Sequence, residues 1–199
     1  VGDTLVDIKF SGIAWQGNDG FYYSSYDKPA EGSQLSGLTQ YHKLYFHRLG
    51  TIQKQDQLVF GGDKTPRRYI GAGLTEDERY LIISAANSTS GNELYIRDLS
   101  IPDSPIVSVV DNFDQNHSII DNIGTKLYIY TNLGAPNGRI VTADASNPKP
   151  EHWVTLIKET ENVLNPSTGG GKIFANYIKD AVSLVLQYDT DGRLEHEIK

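Results

Sequence analysis

Between Asp111 and Glu159 short apolar runs alternate with clusters of Asn, Gly, Pro and Asp. The runs are His117–Asp121, Lys126–Thr131, Arg139–Ala143 and Trp153–Lys158, and the breaks are Asn122/Gly124, Asn132–Gly138 and Asp144–Pro150. Gly and Asn supply positive φ in tight turns, and Pro fixes φ while withholding a ladder donor. Each run has strand length and is dense in Ile, Val, Leu and Tyr, which suit a pleated, half-buried surface. The stretch therefore predicts four short antiparallel strands. One such sheet cannot cover both of its faces and needs neighbours.

The neighbours show as a repeat. Lys126-Leu-Tyr-Ile-Tyr-Thr-Asn132 is echoed by Arg79-Tyr-Leu-Ile-Ile-Ser-Ala85, 47 positions earlier, and by Lys172-Ile-Phe-Ala-Asn-Tyr-Ile178, 46 positions later. Glu93–Leu99 lies 46 before Arg139–Ala145, and Leu44–Gly50 lies 50 before Leu94–Ser100. Four strands per unit of this period predict the blades of a β-propeller, whereas sandwiches and barrels lack a repeated four-strand block. The expected fold is all-β, a propeller with about four blades of four antiparallel strands.

Residues 1–9 read as the last strand (Thr4–Lys9) of a preceding blade, followed by blades over 10–63, 64–111 and 112–160. Residues 161–199 read as an incomplete blade whose strands are Ile173–Ile178, Val182–Tyr188 and Arg193–Ile198. In the first blade, Phe10–Trp15, Gly20–Tyr26, His42–Leu49 and Gln57–Phe60 are the strands. In the second they are Tyr69–Leu74, Tyr80–Ala85, Glu93–Leu99 and Ile106–Val110. Asp27–Tyr41 is a long polar loop of the kind that is usually functional.

Charge narrows the partners. With 18 basic and 25 acidic side chains the net charge is −7, which argues against nucleic acid and against an anionic membrane surface. No apolar run reaches eighteen residues and no leader pattern opens the chain, so a soluble protein of the cytoplasm or periplasm is expected. Without cysteine there are no disulfides and no Cys-based zinc sites. The chain also lacks methionine and reads as a piece of a longer protein.

Candidate chemistry is sparse. Ser167-Thr-Gly-Gly-Gly171 lacks the glycine that a nucleophile elbow places two residues before its serine, and it reads as a loop. Gly169-Gly-Gly-Lys172 lacks the upstream glycine and the Ser/Thr of a phosphate loop, and Gly71-Ala-Gly73 lacks the third glycine of a dinucleotide fingerprint. Asp189-Thr-Asp191-Gly192 resembles half a calcium loop but reads as a β-turn. His42, His47, His117, His152 and His196 are scattered, and the offset of five puts His42 and His47 on opposite strand faces, which argues against a shared metal; all five read as satisfied surface or edge histidines. Asn87-Ser-Thr89 and Asn116-His-Ser118 are formal glycosylation triplets of little weight. Trp15 and Trp153 read as blade-packing residues. No catalytic residue, metal or cofactor is expected in this chain.

Several stretches resemble the prolyl oligopeptidase (prolyl endopeptidase) family. They are Phe10-Ser-Gly-Ile-Ala-Trp15, Tyr41–Gly50, Leu74-Thr-Glu-Asp-Glu-Arg-Tyr80, Thr131–Asn137, Trp153–Ile157 and Glu161-Asn-Val-Leu164, collinear over nearly the whole chain. The resemblance implies a seven-bladed propeller capping an α/β-hydrolase domain of the same polypeptide, which carries a Ser-Asp-His triad outside these residues. It implies cleavage of short peptides on the carboxyl side of proline, with the propeller restricting access. It also implies that Phe10 lines the substrate pocket, together with Tyr69 or Ile70, between which a one-residue ambiguity lies. Ala86-Asn-Ser-Thr89 offers no cation where some members carry an arginine, and Asp27–Tyr41 would face the opening between the domains as a mobile gate.

Two alternatives remain at this stage: a free-standing four-bladed binding module, closed by Val1–Lys9 completing the last blade, and the propeller of an oligopeptidase B or a dipeptidyl peptidase. Open edges predict self-association of the isolated chain.

Overall fold

The computed structural model describes residues 3–26, 32, 40–63 and 66–198. Among these residues sixteen strands form four antiparallel four-stranded sheets, each an up-and-down meander in chain order. The first sheet holds β1 (Ile13–Gln16), β2 (Gly20–Ser25), β3 (Lys43–Arg48) and β4 (Gln57–Gly61). The second holds β5 (Tyr69–Leu74), β6 (Tyr80–Ala86), β7 (Glu93–Asp98) and β8 (Val107–Val110). The third holds β9 (His117–Ile123), β10 (Lys126–Thr131), β11 (Arg139–Asp144) and β12 (Val154–Ile157). The fourth holds β13 (Asn165–Gly169), β14 (Lys172–Lys179), β15 (Val182–Tyr188) and β16 (Leu194–Ile198). No strand leaves its own sheet for another, which is the blade arrangement and not a Greek-key sandwich. Among the described residues no helix is long and apolar enough to cross a membrane.

The chain divides into two compact units, residues 1–107 and 108–199. In the first, Ala14, Tyr22 and Leu44 meet Ile70, Leu81, Ile83 and Ala85 across two stacked sheets. In the second, Tyr128, Ile140 and Ile157 meet Ile173, Ala175 and Tyr177 in the same manner. Each fully buried Leu or Ile contributes about 1.5–3 kcal/mol relative to exposure. Leu81, Ile83 and Ala85 lie two steps of 46 before Ile173, Ala175 and Tyr177, and both sets point into their core. From the second sheet to the fourth the structural step is therefore 46. A 47-residue step would turn every second-strand side chain to the opposite face, because strand side chains alternate.

Turn chemistry repeats with the strands. After β7, Asp98 Oδ1 accepts from Ser100 N–H at 2.9 Å and from its hydroxyl at 2.5 Å. After β11, Asp144 Oδ1 does the same with Ser146, at 2.8 and 2.5 Å. The first sheet turns differently at this corner. Gly50, at φ +82°, gives its N–H to Asp3. Gly20 is required by close approach, since a Cβ there would sit 2.1 Å from the His47 carbonyl oxygen.

Several expectations change. Thr4–Lys9 forms no strand. No strand among the described residues pairs with it, and side-chain bonds hold this segment instead: Val6 N–H donates to Gln53 Oε1 at 3.0 Å, and Gln53 Nε2 donates back to the Val6 carbonyl at 3.1 Å. The last sheet has four strands. Asn165–Gly169, whose composition is that of a loop, runs as β13 along β14 before turning at Gly170 and Gly171. His42, His47 and His117 are buried rather than at the surface or edge. His47 Nδ1 lies 2.8 Å from Asp56 Oδ1, and the Tyr23 hydroxyl donates to Asp56 Oδ2 at 2.7 Å. Burial, reinforced by that carboxylate, raises the Tyr23 pKa. Trp15 is 53% exposed and packs in a T-shaped arrangement with Phe21, ring centroids 4.9 Å apart. Asp189 behaves as a turn residue, its Oδ1 accepting from Asp191 and Arg193 N–H at 3.0 and 2.8 Å.

His117 gives the second unit a pH dependence of defined sign. Its Nδ1 lies 2.9 Å from Thr131 Oγ1, and burial pulls its pKa from 6.5 down to about 4. Between those values the unfolded chain takes up a proton that the folded chain refuses. Stability is thus complete above pH 6.5 and falls as pH drops toward 4. Denaturant unfolding at stepped pH should show a loss of roughly 3 kcal/mol over this window attributable to His117. His117→Gln should remove that component, and an unchanged slope in the variant would refute the assignment.

Candidate functional site

At the end of the first unit where β1 and β5 begin, the backbone is unusual before any side chain is considered. Ser11 Oγ accepts from Ser24 N–H at 2.8 Å and donates to the Gly12 carbonyl at 2.6 Å, pinning the chain just after Phe10. Phe10 itself stands at φ +56°, a left-handed conformation that bulky residues rarely adopt and that costs on the order of 1–3 kcal/mol. Its ring is not buried in compensation. It is 59% exposed and meets Tyr69 edge-on, with centroids 5.6 Å apart and planes at 88°. Lys9 Nζ lies 5.1 Å from the Phe10 centroid and 5.9 Å from that of Tyr26. Three aromatic rings and one ammonium therefore form an open surface.

Strand alternation decides between Tyr69 and Ile70. Tyr69 is 46% exposed beside Phe10, whereas Ile70, on the other face of β5, is 2% exposed in the first unit's core. The Ile70 backbone is clamped from both sides: its N–H donates to His42 Nδ1 at 2.8 Å, and its carbonyl accepts from the Ser24 hydroxyl at 2.6 Å. Since Nδ1 accepts, the proton of neutral His42 sits on Nε2. Burial lowers the His42 pKa, and the Lys9 carbonyl opposes that in part. The His42 ring also lies 6.2 Å from Tyr69. Ile70 thus acts as the anchor that holds Tyr69 in place, and His42 and Ser24 set the anchor. Beside it, Arg68 Nη2 meets the buried Glu93 at 2.6 Å.

Such a surface can hold an apolar ring or side chain by stacking and edge contacts, with one cation at its margin. Among the described residues no group of three or more His, Asp or Glu side chains is placed to hold a metal. The loop expected to gate access, Asp27–Tyr41, lies outside the described residues apart from positions 32, 40 and 41. Sequence reasoning missed the His42 clamp. Twenty-eight residues separate His42 from Ile70, and nothing local marks the contact.

Residues 1–199 match the family described as the prolyl oligopeptidase N-terminal β-propeller domain. A prolyl endopeptidase of Elizabethkingia meningoseptica is 54% identical over 197 residues, covering 99% of this chain and 28% of that protein. Prolyl oligopeptidase A of Amanita bisporigera is 34% identical, covering 96% of this chain and 26% of its own length. A solved structure from a study of inter-domain dynamics in two prolyl endopeptidases superposes with a TM-score of 0.86 at 30% identity, covering 98% of this chain and 28% of that one. Prolyl oligopeptidase B of Galerina marginata, bound to a 35mer hydrolysis and macrocyclization substrate, gives a TM-score of 0.85 at 26% identity, over 96% of this chain and 27% of its own. The chain spans little more than a quarter of the length of these relatives.

The placements separate Phe10 from Ile70 in stability. Phe10→Ala should lower the unfolding free energy by no more than ~1 kcal/mol, since it removes one edge-to-face contact and leaves no cavity. Ile70→Ala should cost about 2–5 kcal/mol by emptying a core position. Chemical denaturation measures both, and a larger loss at Phe10 than at Ile70 would reverse the two roles.

Proposed function

This chain belongs to the prolyl oligopeptidase family as part of its N-terminal β-propeller, and we propose that it serves a prolyl endopeptidase as a portion of the cap over the active site. The match of all 199 residues to that propeller domain is the observation that carries the reading. In the proposal the ring has seven blades, of which the four sheets here are a consecutive set. The same polypeptide supplies an α/β-hydrolase domain, whose serine nucleophile cuts short peptides on the carboxyl side of proline. Chemistry belongs to that domain. The propeller contributes selection by access, admitting narrow flexible chains and excluding folded ones, with substrate entry dependent on relative motion of the two domains.

Phe10 and Tyr69 are the substrate-facing positions in this reading, and Ile70 supports Tyr69 from the core. The strained backbone at Phe10 supports a functional role, because a conformation that costs energy persists where its surroundings hold it for a purpose. An apolar residue of the peptide near the scissile proline would rest against the two rings.

The full-length polypeptide should cleave a proline-containing octapeptide after proline and leave the same sequence intact inside a folded protein, whereas residues 1–199 alone should cleave neither. Equal cleavage of both substrates by the full-length protein would remove the access role. Phe10→Ala in the full-length enzyme should raise KM roughly tenfold with kcat changed little, the signature of lost substrate binding common to ground and transition states. An unchanged KM would take Phe10 out of the pocket.

The isolated chain should also self-associate. It exposes Ile13, Trp15 and Leu58 on the first sheet and Ile178 and Ile198 on the fourth. Such apolar sheet surface favours pairing between copies. Sedimentation velocity should show a concentration-dependent rise in mass, and a constant monomer mass at high concentration would contradict this.

A further inference from the structure

At the end of the first unit's strands opposite Phe10 and Tyr69, a cavity of about 180 Å³ opens between the first two sheets. Arg48, at the end of β3, and Arg97, on β7, both line it, together with Gln16, Tyr22, Phe46 and Asp19. Arg97 is half-buried, and its Nε is shut off from solvent with no hydrogen-bond partner. Among the described residues neither guanidinium forms an ion pair. The Asp19 carboxylate lines the same cavity but bridges to neither arginine. A donor withdrawn from water without a partner is costly, and among these two side chains the Arg97 Nε–H is in that position.

The repeat shows that the fold does not ask for these arginines. The third strands of the second and third sheets correspond at a step of 46, which places Ala143 where Arg97 stands. Ala143 is buried and small. The strand ends show the same departure. The echo between Leu44–Gly50 and Leu94–Ser100 sets Arg48 against Asp98, the residue that caps its own turn through Ser100 and that Asp144 reproduces one blade later. At the facing corners of two neighbouring sheets, arginines stand where the repeat elsewhere has an alanine and an aspartate, and both line a shared cavity. Blade packing accounts for neither change.

We propose that Arg48 and Arg97 form a binding site for a phosphate-like oxyanion. Two guanidiniums offer paired N–H donors matched to the oxygens of a tetrahedral anion, and charge-assisted bonds of this kind are short and strong. One Arg97 donor, its Nε–H, is already desolvated, so part of the cost of binding is met before the ligand arrives. The volume suits one such anion with a few waters, given roughly 30 Å³ per water, and not a whole nucleotide. The Gln16 amide, which already accepts the Tyr22 hydroxyl at 2.7 Å, lies at the same cavity and gives it a polar wall. This inference is independent of the proposed peptidase role.

Calorimetric titration of the full-length polypeptide with inorganic phosphate, at ionic strength held constant with sodium chloride, tests it. Saturable binding is expected, weakened at least tenfold in Arg97→Ala and in Arg48→Gln. Arg97→Ala should fold, since the equivalent position is Ala143. If it does not, the exposed Arg48→Gln still reports on the site. A parallel titration with phosphoethanolamine separates the sources: binding as tight as that of phosphate would identify a phosphoryl group borne on a larger molecule, and binding of phosphate alone would identify the free ion. No saturation in the parent protein, or equal affinity in the parent and the folded variants, would overturn the proposal.

Discussion

A four-stranded meander presents two faces to its surroundings and can cover neither by itself. Only another sheet of matching width, set against it, removes that apolar area from water. In the first unit Tyr22 and Leu44 are covered by Leu81, Ile83 and Ile70, and in the second Tyr128 and Ile140 are covered by Ile173, Ala175 and Tyr177. Other features follow from the stacking. His117 is held neutral by burial, and Ile70 fixes the height at which Tyr69 meets Phe10.

Strands whose own composition favours extension were legible in the chain alone. Lys126–Thr131 and Val182–Tyr188 have the expected bounds, because β-branched, aliphatic and aromatic residues lie between clear turn signals. β13 was not legible. Asn-Pro-Ser-Thr-Gly has turn composition, and it becomes a strand through pairing with β14, a partner that local propensity cannot register. Thr4–Lys9 shows the converse. Its pattern suits a strand, but no ladder takes it up, and Gln53 holds the backbone instead. From the second sheet to the fourth the spacing of the repeat was legible to within one residue, yet that residue decides which face is buried. Only burial at Leu81 and Ile173 identifies the step as 46.

The candidate site was less legible than the fold. Phe10 stood out through family likeness, whereas its left-handed backbone and its exposure are properties of the folded chain. The choice between Tyr69 and Ile70 needed only the phase of one strand, which sequence could not supply because both residues suit either face. The His42–Ile70 clamp and the approach of Arg97 to Arg48 join residues 28 and 49 positions apart. Contacts of this range leave no periodic trace. Histidines read as surface groups proved to be core groups for the same reason, their partners Asp56 and Thr131 being visible only after folding.

The fixed phase of each buried strand has a bearing on how such a chain can change length over generations. Within β14 the alternation of the strand keeps Ile173, Ala175 and Tyr177 on one buried face, and a lone codon gained or lost in that strand just before them would send all three outward together. Neutral drift in size is therefore channelled into the connectors or into duplication of whole repeats. The departures of Arg48 and Arg97 from their counterparts illustrate the remaining freedom: once copied, a blade can diverge residue by residue at its corners while its interior phase stays locked.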